Sequence, residues 1–325
     1  MIIVTNRDIN ESNLNNGIGD HKLFGDKVNA NGPNEVRLAL ATKTDNQWEV
    51  ELLEEPEVVT EGNLPSKKVF NDLRNKLRNT NRNCVFFVHG FNQSFLKNLN
   101  KAYEIERIYD VEVVVFSWPS NPGGFKTKEY RHAKRNAQAS IGALDATLEK
   151  ISTYLQGPFV KEDLKACNTK FTLMTYSQGN YLFQNYIMNS IYDRETRMFD
   201  NIVLCQADVD NECHRNWVNL IETGKRVYVT INENDWVLKW SDANFQKDRL
   251  GRTARNLNSS NAIYFDFTDI PKVGKTHGVF YKNQDGPYDH QSDDRVKLFF
   301  DNVLNGRKGE LTKGFTYDKH DNVYR

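Results

Sequence analysis

The chain lacks the features that would place it in a membrane, on nucleic acid or around a metal. Its longest apolar runs, such as residues 111–118, are strand-sized and far short of the roughly 20 residues of a spanning helix. Residues Met1 to Asp8 meet charge too early for the apolar region of a signal peptide. Charge of neither sign dominates. The 43 basic and 43 acidic residues balance, so no overall field attracts nucleic acid or an anionic membrane. Cysteine is scarce, with four residues at positions 84, 167, 205 and 213 and no C-x-x-C pair. Cys84 and Cys205 fall in expected strands, where buried thiols are usual. The seven histidines are scattered without ligand spacing, which disfavours a zinc site. Internal repeats are absent. These absences leave the cytoplasm as the expected compartment, with no transmembrane segment, no nucleic-acid partner, and no metal or organic cofactor.

What is present is enough to bury a large core: 325 residues, of which 38% are hydrophobic. Residues 1–65 are expected to form an N-terminal β and loop extension. A short strand covers 1–5, a polar loop or flap 8–34, and two strands 36–42 and 48–53. From about residue 66 to 306, strands alternate with helices. Strands are expected at 84–89, 111–118, 171–174, 201–206, 226–231 and 262–267. Helices are expected at 71–78, 95–108, 129–155, 211–222 and 292–303. Near-continuous apolar strands between helices mean a mostly parallel α/β sheet covered on both faces. Residues 307–325 read as a polar surface tail.

The stretch 170–181 is the centre of the pattern. An apolar run ends abruptly at Thr175-Tyr176-Ser177-Gln178-Gly179, and helical spacing follows at Tyr181, Leu182, Tyr186, Ile187 and Ile191. Strand, tight turn with serine, and helix make up a nucleophile elbow, whose positions two before and two after the serine must be small. Gly179 fits, whereas Thr175 stands where the simple pattern has glycine. A plain strand–turn–helix link with a surface serine reads the same way.

A serine hydroxyl needs a base, and the base needs a carboxylate to orient it. In open α/β sheets such residues lie just after the carboxyl ends of strands. Ser177, Asp235 and His277 occupy such places in the order Ser, Asp, His. Taken singly, Asp235 reads equally as a helix cap and His277 as a loop histidine. Asp208 and Asp210, after the preceding strand, are the alternative acid, or else turn caps. At 85–92, Val-Phe-Phe-Val-His-Gly-Phe-Asn ends another strand. Gly90 lets the chain turn, so that the Phe91 N–H can join the Gln178 N–H against a developing oxyanion. His89 is read as support for that turn rather than as a rival base, and Ser94 and Ser120 as loop serines.

Three motifs carry a resemblance: Val-His-Gly-Phe-Asn at 88–92, Phe-Ser-Trp-Pro-Ser at 116–120 and Tyr-Ser-Gln-Gly-Asn at 176–180. With them the sequence resembles the α/β-hydrolase superfamily, and within it a poorly characterised, largely bacterial branch of serine hydrolases. The resemblance covers about residues 83–303. It implies an eight-stranded sheet with helices on both sides, a Ser–Asp–His triad and oxyanion N–H groups at Phe91 and Gln178.

The expected function is hydrolysis of a carboxylic ester or related acyl bond in a small-molecule or lipid substrate, in the manner of an esterase or lipase. The same triad also serves peptidases, thioesterases and acyltransferases, and a degenerate site would leave a binding or regulatory module. Segments 119–128, 210–222 and 241–260 are candidate pocket covers. The last carries Lys247, Arg249, Arg252 and Arg255, read as a solvated face in preference to an anion site.

Overall fold

A computed structural model of the chain describes residues 1–45, 47–56, 58, 60, 63–121, 123, 126–245, 247–282 and 288–325. Its strands are β1 (Ile2–Thr5), β2 (Arg7–Ile9), β3 (Ile18–Gly19), β4 (Phe24–Val28), β5 (Arg37–Thr44), β6 (Gln47–Leu52), β7 (Asn83–Val88), β8 (Val111–Ser117), β9 (Phe171–Tyr176), β10 (Asn201–Cys205), β11 (Arg226–Ile231), β12 (Ala262–Asp266), β13 (Tyr317–Asp318) and β14 (Val323–Tyr324). The helices are α1 (Pro65–Thr80), α2 (Phe95–Tyr109), α3 (Lys126–Ala139), α4 (Ile141–Gln156), α5 (Pro158–Ala166), α6 (Gly179–Ile187), α7 (Arg215–Val218), α8 (Trp236–Phe245) and α9 (Asp294–Leu304).

One sheet runs β13-β14-β12-β11-β10-β9-β7-β8-β1-β5-β6-β3, and β2 pairs with β4 in a separate ribbon. From β14 through to β1 every neighbouring pair is parallel. Among the described residues the sheet therefore has twelve strands, not the expected eight. The additions come from both ends of the chain. β1 pairs in parallel with β8, and β5, β6 and β3 extend that edge antiparallel. The expected tail instead supplies β13 and β14 at the other edge, where Val323 is fully buried.

Strand side chains alternate between faces, so each central strand feeds two cores. Phe86 and Val88 of β7 join one cluster with Leu144, Leu148 and Leu182 from α4 and α6. Val85 and Phe87 join the other with Leu99, Ile105 and Phe299 from α2 and α9. Both faces are thereby closed to water, which is why the strands read as unbroken apolar runs.

The long helix expected over 129–155 is two helices that break at Ser140. Its hydroxyl donates to the Asn136 carbonyl at 2.7 Å and accepts from Asn6 Nδ2 at 2.9 Å. The hydroxyl thus competes for the helical ladder while the chain after β1 draws it away. The apolar spacing continues across this one-residue break, which hides it. The helix expected over 211–222 shrinks to the single turn α7, while α5 and α8 were not expected.

Candidate active site

The carboxyl ends of β7, β9, β10, β11 and β12 lie side by side, and the loops leaving them build one cluster. Ser177 follows β9 directly and is held at φ +52°, a conformation that costs a non-glycine residue about 1–3 kcal/mol. Packing enforces it. A Cβ on Gly90 would stand 2.6 Å from Ser177 Cβ, and one on Gly179 would stand 2.6 Å from the His89 carbonyl oxygen. Only glycine at both places lets the turn seat against the end of β7.

Thr175 is accommodated by a brace that the simple pattern does not contain. Its hydroxyl donates to Asn180 Oδ1 at 2.7 Å, and Asn180 Nδ2 reaches back to the carbonyls of Thr175 and Ser177, both at 3.1 Å. The buried threonine is therefore satisfied, and the turn is tied across its base.

His277 stands between two partners. Its Nε2 lies 2.9 Å from Ser177 Oγ, and its Nδ1 lies 2.6 Å from Asp235 Oδ2. The carboxylate only accepts, so Nδ1 carries the hydrogen and Nε2 is left to accept from the serine hydroxyl. Asp235 is fully buried. Its other oxygen, Oδ1, accepts from the N–H groups of Val237 and Leu238 at 2.9 and 3.0 Å, capping α8. Helix cap and histidine partner are thus one residue using two oxygens. Asn232 fixes the histidine loop by donating to the carbonyls of Gly274 and Thr276 at 3.0 and 2.8 Å. The Tyr176 ring packs on the imidazole at 5.0 Å between centroids.

The alternative acids have other partners. Asp208 accepts from the Tyr130 hydroxyl and from Ser241 Oγ, each at 2.8 Å, and pairs with Arg249 Nε at 3.3 Å. Asp210 pairs with Arg249 and Lys247. Neither is a partner of His277. Nor is the run from Lys247 to Arg255 a solvated face throughout: Arg249 is buried, and Arg252 pairs with Asp242. Burial, with Asp208 adjacent, holds the Tyr130 hydroxyl well above its usual pKa, so it stays a donor.

His89 is buried in the turn before Gly90. Its Nδ1 donates to the Gly90 carbonyl at 3.0 Å, its Nε2 accepts from the Trp118 N–H at 3.2 Å, and its ring stacks on Trp118. Burial, followed by the positive charge of Arg7, keeps its pKa well below the ordinary value. The imidazole is neutral and braces the turn, and Ser177 is not among its partners. Ser94 caps α2, and Ser120 accepts from the Gln93 N–H. Arg7, from the N-terminal segment, is also buried here. It donates to the Gln93 carbonyl at 2.8 Å and to Ser117 Oγ at 2.9 Å, and so supports the loop that carries Phe91. Arg7 gave no sequence signal, because its partners lie 86 and 110 residues away. Among the described residues, the N–H groups of Phe91 and Gln178 have no protein acceptor.

A cavity of about 310 Å³ opens over Ser177 and His277, walled by Phe91, Tyr130, Tyr176, Trp236 and Trp240, with Asp208 and Ser241 in its lining. The start of α8 contributes Trp236, Val237 and Trp240 to its lining. Segment 210–222 does not line it, and segment 241–260 contributes Ser241 at its first position. Of segment 119–128, residues 122, 124 and 125 lie outside those described.

A family described as alpha/beta hydrolase of unknown function (DUF900) matches residues 66–279, about two thirds of the chain. The chain belongs to this family. Neither the curated proteins nor the solved structures compared with it gave a match. The hydrolase fold was therefore read correctly from the sequence, except for the strand count. Among the described residues of this hydrolase, no helix is long and apolar enough to cross a membrane, and no cluster of three or more His, Cys, Asp or Glu forms a metal site.

Proposed function

We propose that this α/β-hydrolase is a serine hydrolase that cleaves a carboxylic ester through an acyl-enzyme. The observation that carries the reading is the position of His277, within hydrogen-bond reach of Ser177 on one ring nitrogen and of a buried carboxylate on the other. His277 Nε2 takes the Ser177 proton as Oγ bonds to the acyl carbon. The carbonyl oxygen becomes negative and is met by the N–H groups of Phe91 and Gln178. The ester C–O bond then breaks, and the alcohol leaves with the proton from His277. Water next gives a proton to His277 and attacks the acyl carbon. The Ser177 ester bond breaks, the acid departs, and Ser177 recovers its proton. Asp235 holds the ring and stabilises its charged form throughout.

The test is hydrolysis of a p-nitrophenyl ester by wild type, Ser177→Ala and His277→Ala. Both variants are expected to lose activity by on the order of 10³-fold or more while keeping the wild-type melting profile. Wild-type turnover in Ser177→Ala would refute the assignment of the nucleophile.

A further inference from the structure

The cavity beside Ser177 has a size and a charge balance that limit the acyl group it can receive. At about 30 Å³ for each water-sized group, its 310 Å³ hold roughly ten non-hydrogen atoms. An octanoyl or benzoyl group fills this space, whereas a dodecanoyl group would extend beyond it toward solvent. The wall is a continuous aromatic surface. Phe91 meets Tyr130 edge to face at 5.5 Å, and Tyr130 meets Trp240 in the same way at 5.8 Å. Such a surface accepts a further ring or a short chain without a specific polar partner.

Among the described residues, the wall carries no excess of positive charge. The Asp208 carboxylate is bonded to two hydroxyls and to the Arg249 guanidinium. Asp210 behind it is balanced by Arg249 and Lys247. Lys97 and Glu129, also in the lining, oppose each other in sign. An acyl group carrying its own carboxylate would lose its water beside Asp208 without gaining a counter-charge there.

From this we infer that the site takes an uncharged acyl group of about ten non-hydrogen atoms or fewer, alkyl or aryl, and not the long chain of a membrane lipid. The inference rests on the serine-hydrolase reading, so its experiment separates the two.

The full chain is first titrated with a fluorophosphonate. It is then assayed on p-nitrophenyl esters running from acetyl to palmitoyl, with benzoyl and a glutaric mono-ester alongside. The expected profile peaks at octanoyl or shorter, or at benzoyl. It falls at least tenfold in kcat/KM at dodecanoyl, and at least tenfold for the glutaric mono-ester against its uncharged analogue of equal length. Trp240→Ala, which removes the end of the aromatic wall, should move the optimum to longer chains. Labelled protein with an optimum at dodecanoyl or beyond, or with equal turnover of the charged ester, would overturn the size or charge limit and leave the hydrolase reading standing. Absence of labelling in folded protein would overturn both.

Discussion

The loops after β10 and β11 leave neighbouring parallel strands, and each brings a buried aspartate close to Ser177. Asp208 and Asp235 have the same side chain, similar burial and similar places shortly after their strands. What separates them is which element arrives to meet them. Asp235 opens α8, so the helix N–H groups take one oxygen and His277 takes the other. Asp208 faces α3, the side of α8 that carries Ser241 and the segment after α8, and is enclosed by Tyr130, Ser241 and Arg249. The partner of a carboxylate next to Ser177 is thus not assigned by its position after a strand. It is assigned by whether the carboxylate's free oxygen looks toward an imidazole or toward a guanidinium.

The largest effects are expected from neutralising each aspartate in turn. Asp235→Asn keeps a cap acceptor for α8 but presents the wrong group to His277 Nδ1. Ester turnover is expected to fall on the order of 10⁴-fold with little change in melting temperature, measured by steady-state kinetics beside calorimetry. Asp208→Asn should behave in reverse. Removing one partner of a buried pair leaves Arg249 under-compensated and costs about 3 kcal/mol, read by denaturant unfolding, while turnover stays within about tenfold of wild type. Equal kinetic losses in the two variants would erase the distinction.

A third buried charge extends the comparison to a group with no carboxylate. Lys101 on α2 places its ammonium 4.5 Å from the Tyr176 ring and 4.6 Å from the Tyr281 ring. Burial, followed by repulsion from Lys97, lowers its pKa to about 7, while Cys205 acts in the opposite direction. An unfolded lysine titrates near 10.4, so between pH 7 and about 10 the unfolded chain holds a proton that the folded chain has released. The penalty for burying the charge is full below pH 7 and fades as pH rises through that window. Lys101→Met should therefore be more stable than wild type by roughly 2–3 kcal/mol at pH 6, the ring faces having offset part of the desolvation cost, and this advantage should shrink toward pH 10. An advantage independent of pH would show that the ammonium is not the source.

The smallest effect concerns the brace under Ser177. Thr175→Val keeps the shape but removes the hydroxyl that donates to Asn180. A loss of about 1–2 kcal/mol is expected from thermal unfolding, with turnover reduced less than in Asp235→Asn.

Much of this molecule can be read along the chain. The parallel strands are legible because burial on both faces leaves them apolar throughout, and the fold class follows. The Ser, Asp, His order is legible because Ser177 and Asp235 sit just past strands and His277 lies in the loop after β12. Contacts made across the fold are not legible. Nothing near Ser140 announces that Asn6 will bond its hydroxyl, so one long helix was expected where α3 and α4 meet. Two-residue strands such as β13 and β14 are too short for an alternating pattern, so the edge they form read as a tail. The sequence favours Asp235 but keeps Asp208 as an alternative, because Tyr130 and Arg249, which occupy Asp208, reach it from 78 and about 40 residues away. Thr175 looked like a flaw in the turn because its compensation, Asn180, lies on the far side of the serine.

The most direct measurement is the rate and site of fluorophosphonate labelling, followed by peptide mass spectrometry on wild type, Asp235→Asn and Asp208→Asn. The account predicts a single adduct on Ser177, formed rapidly in wild type and in folded Asp208→Asn and slowed by orders of magnitude in Asp235→Asn. An adduct on another serine, or slowing confined to Asp208→Asn, would contradict it.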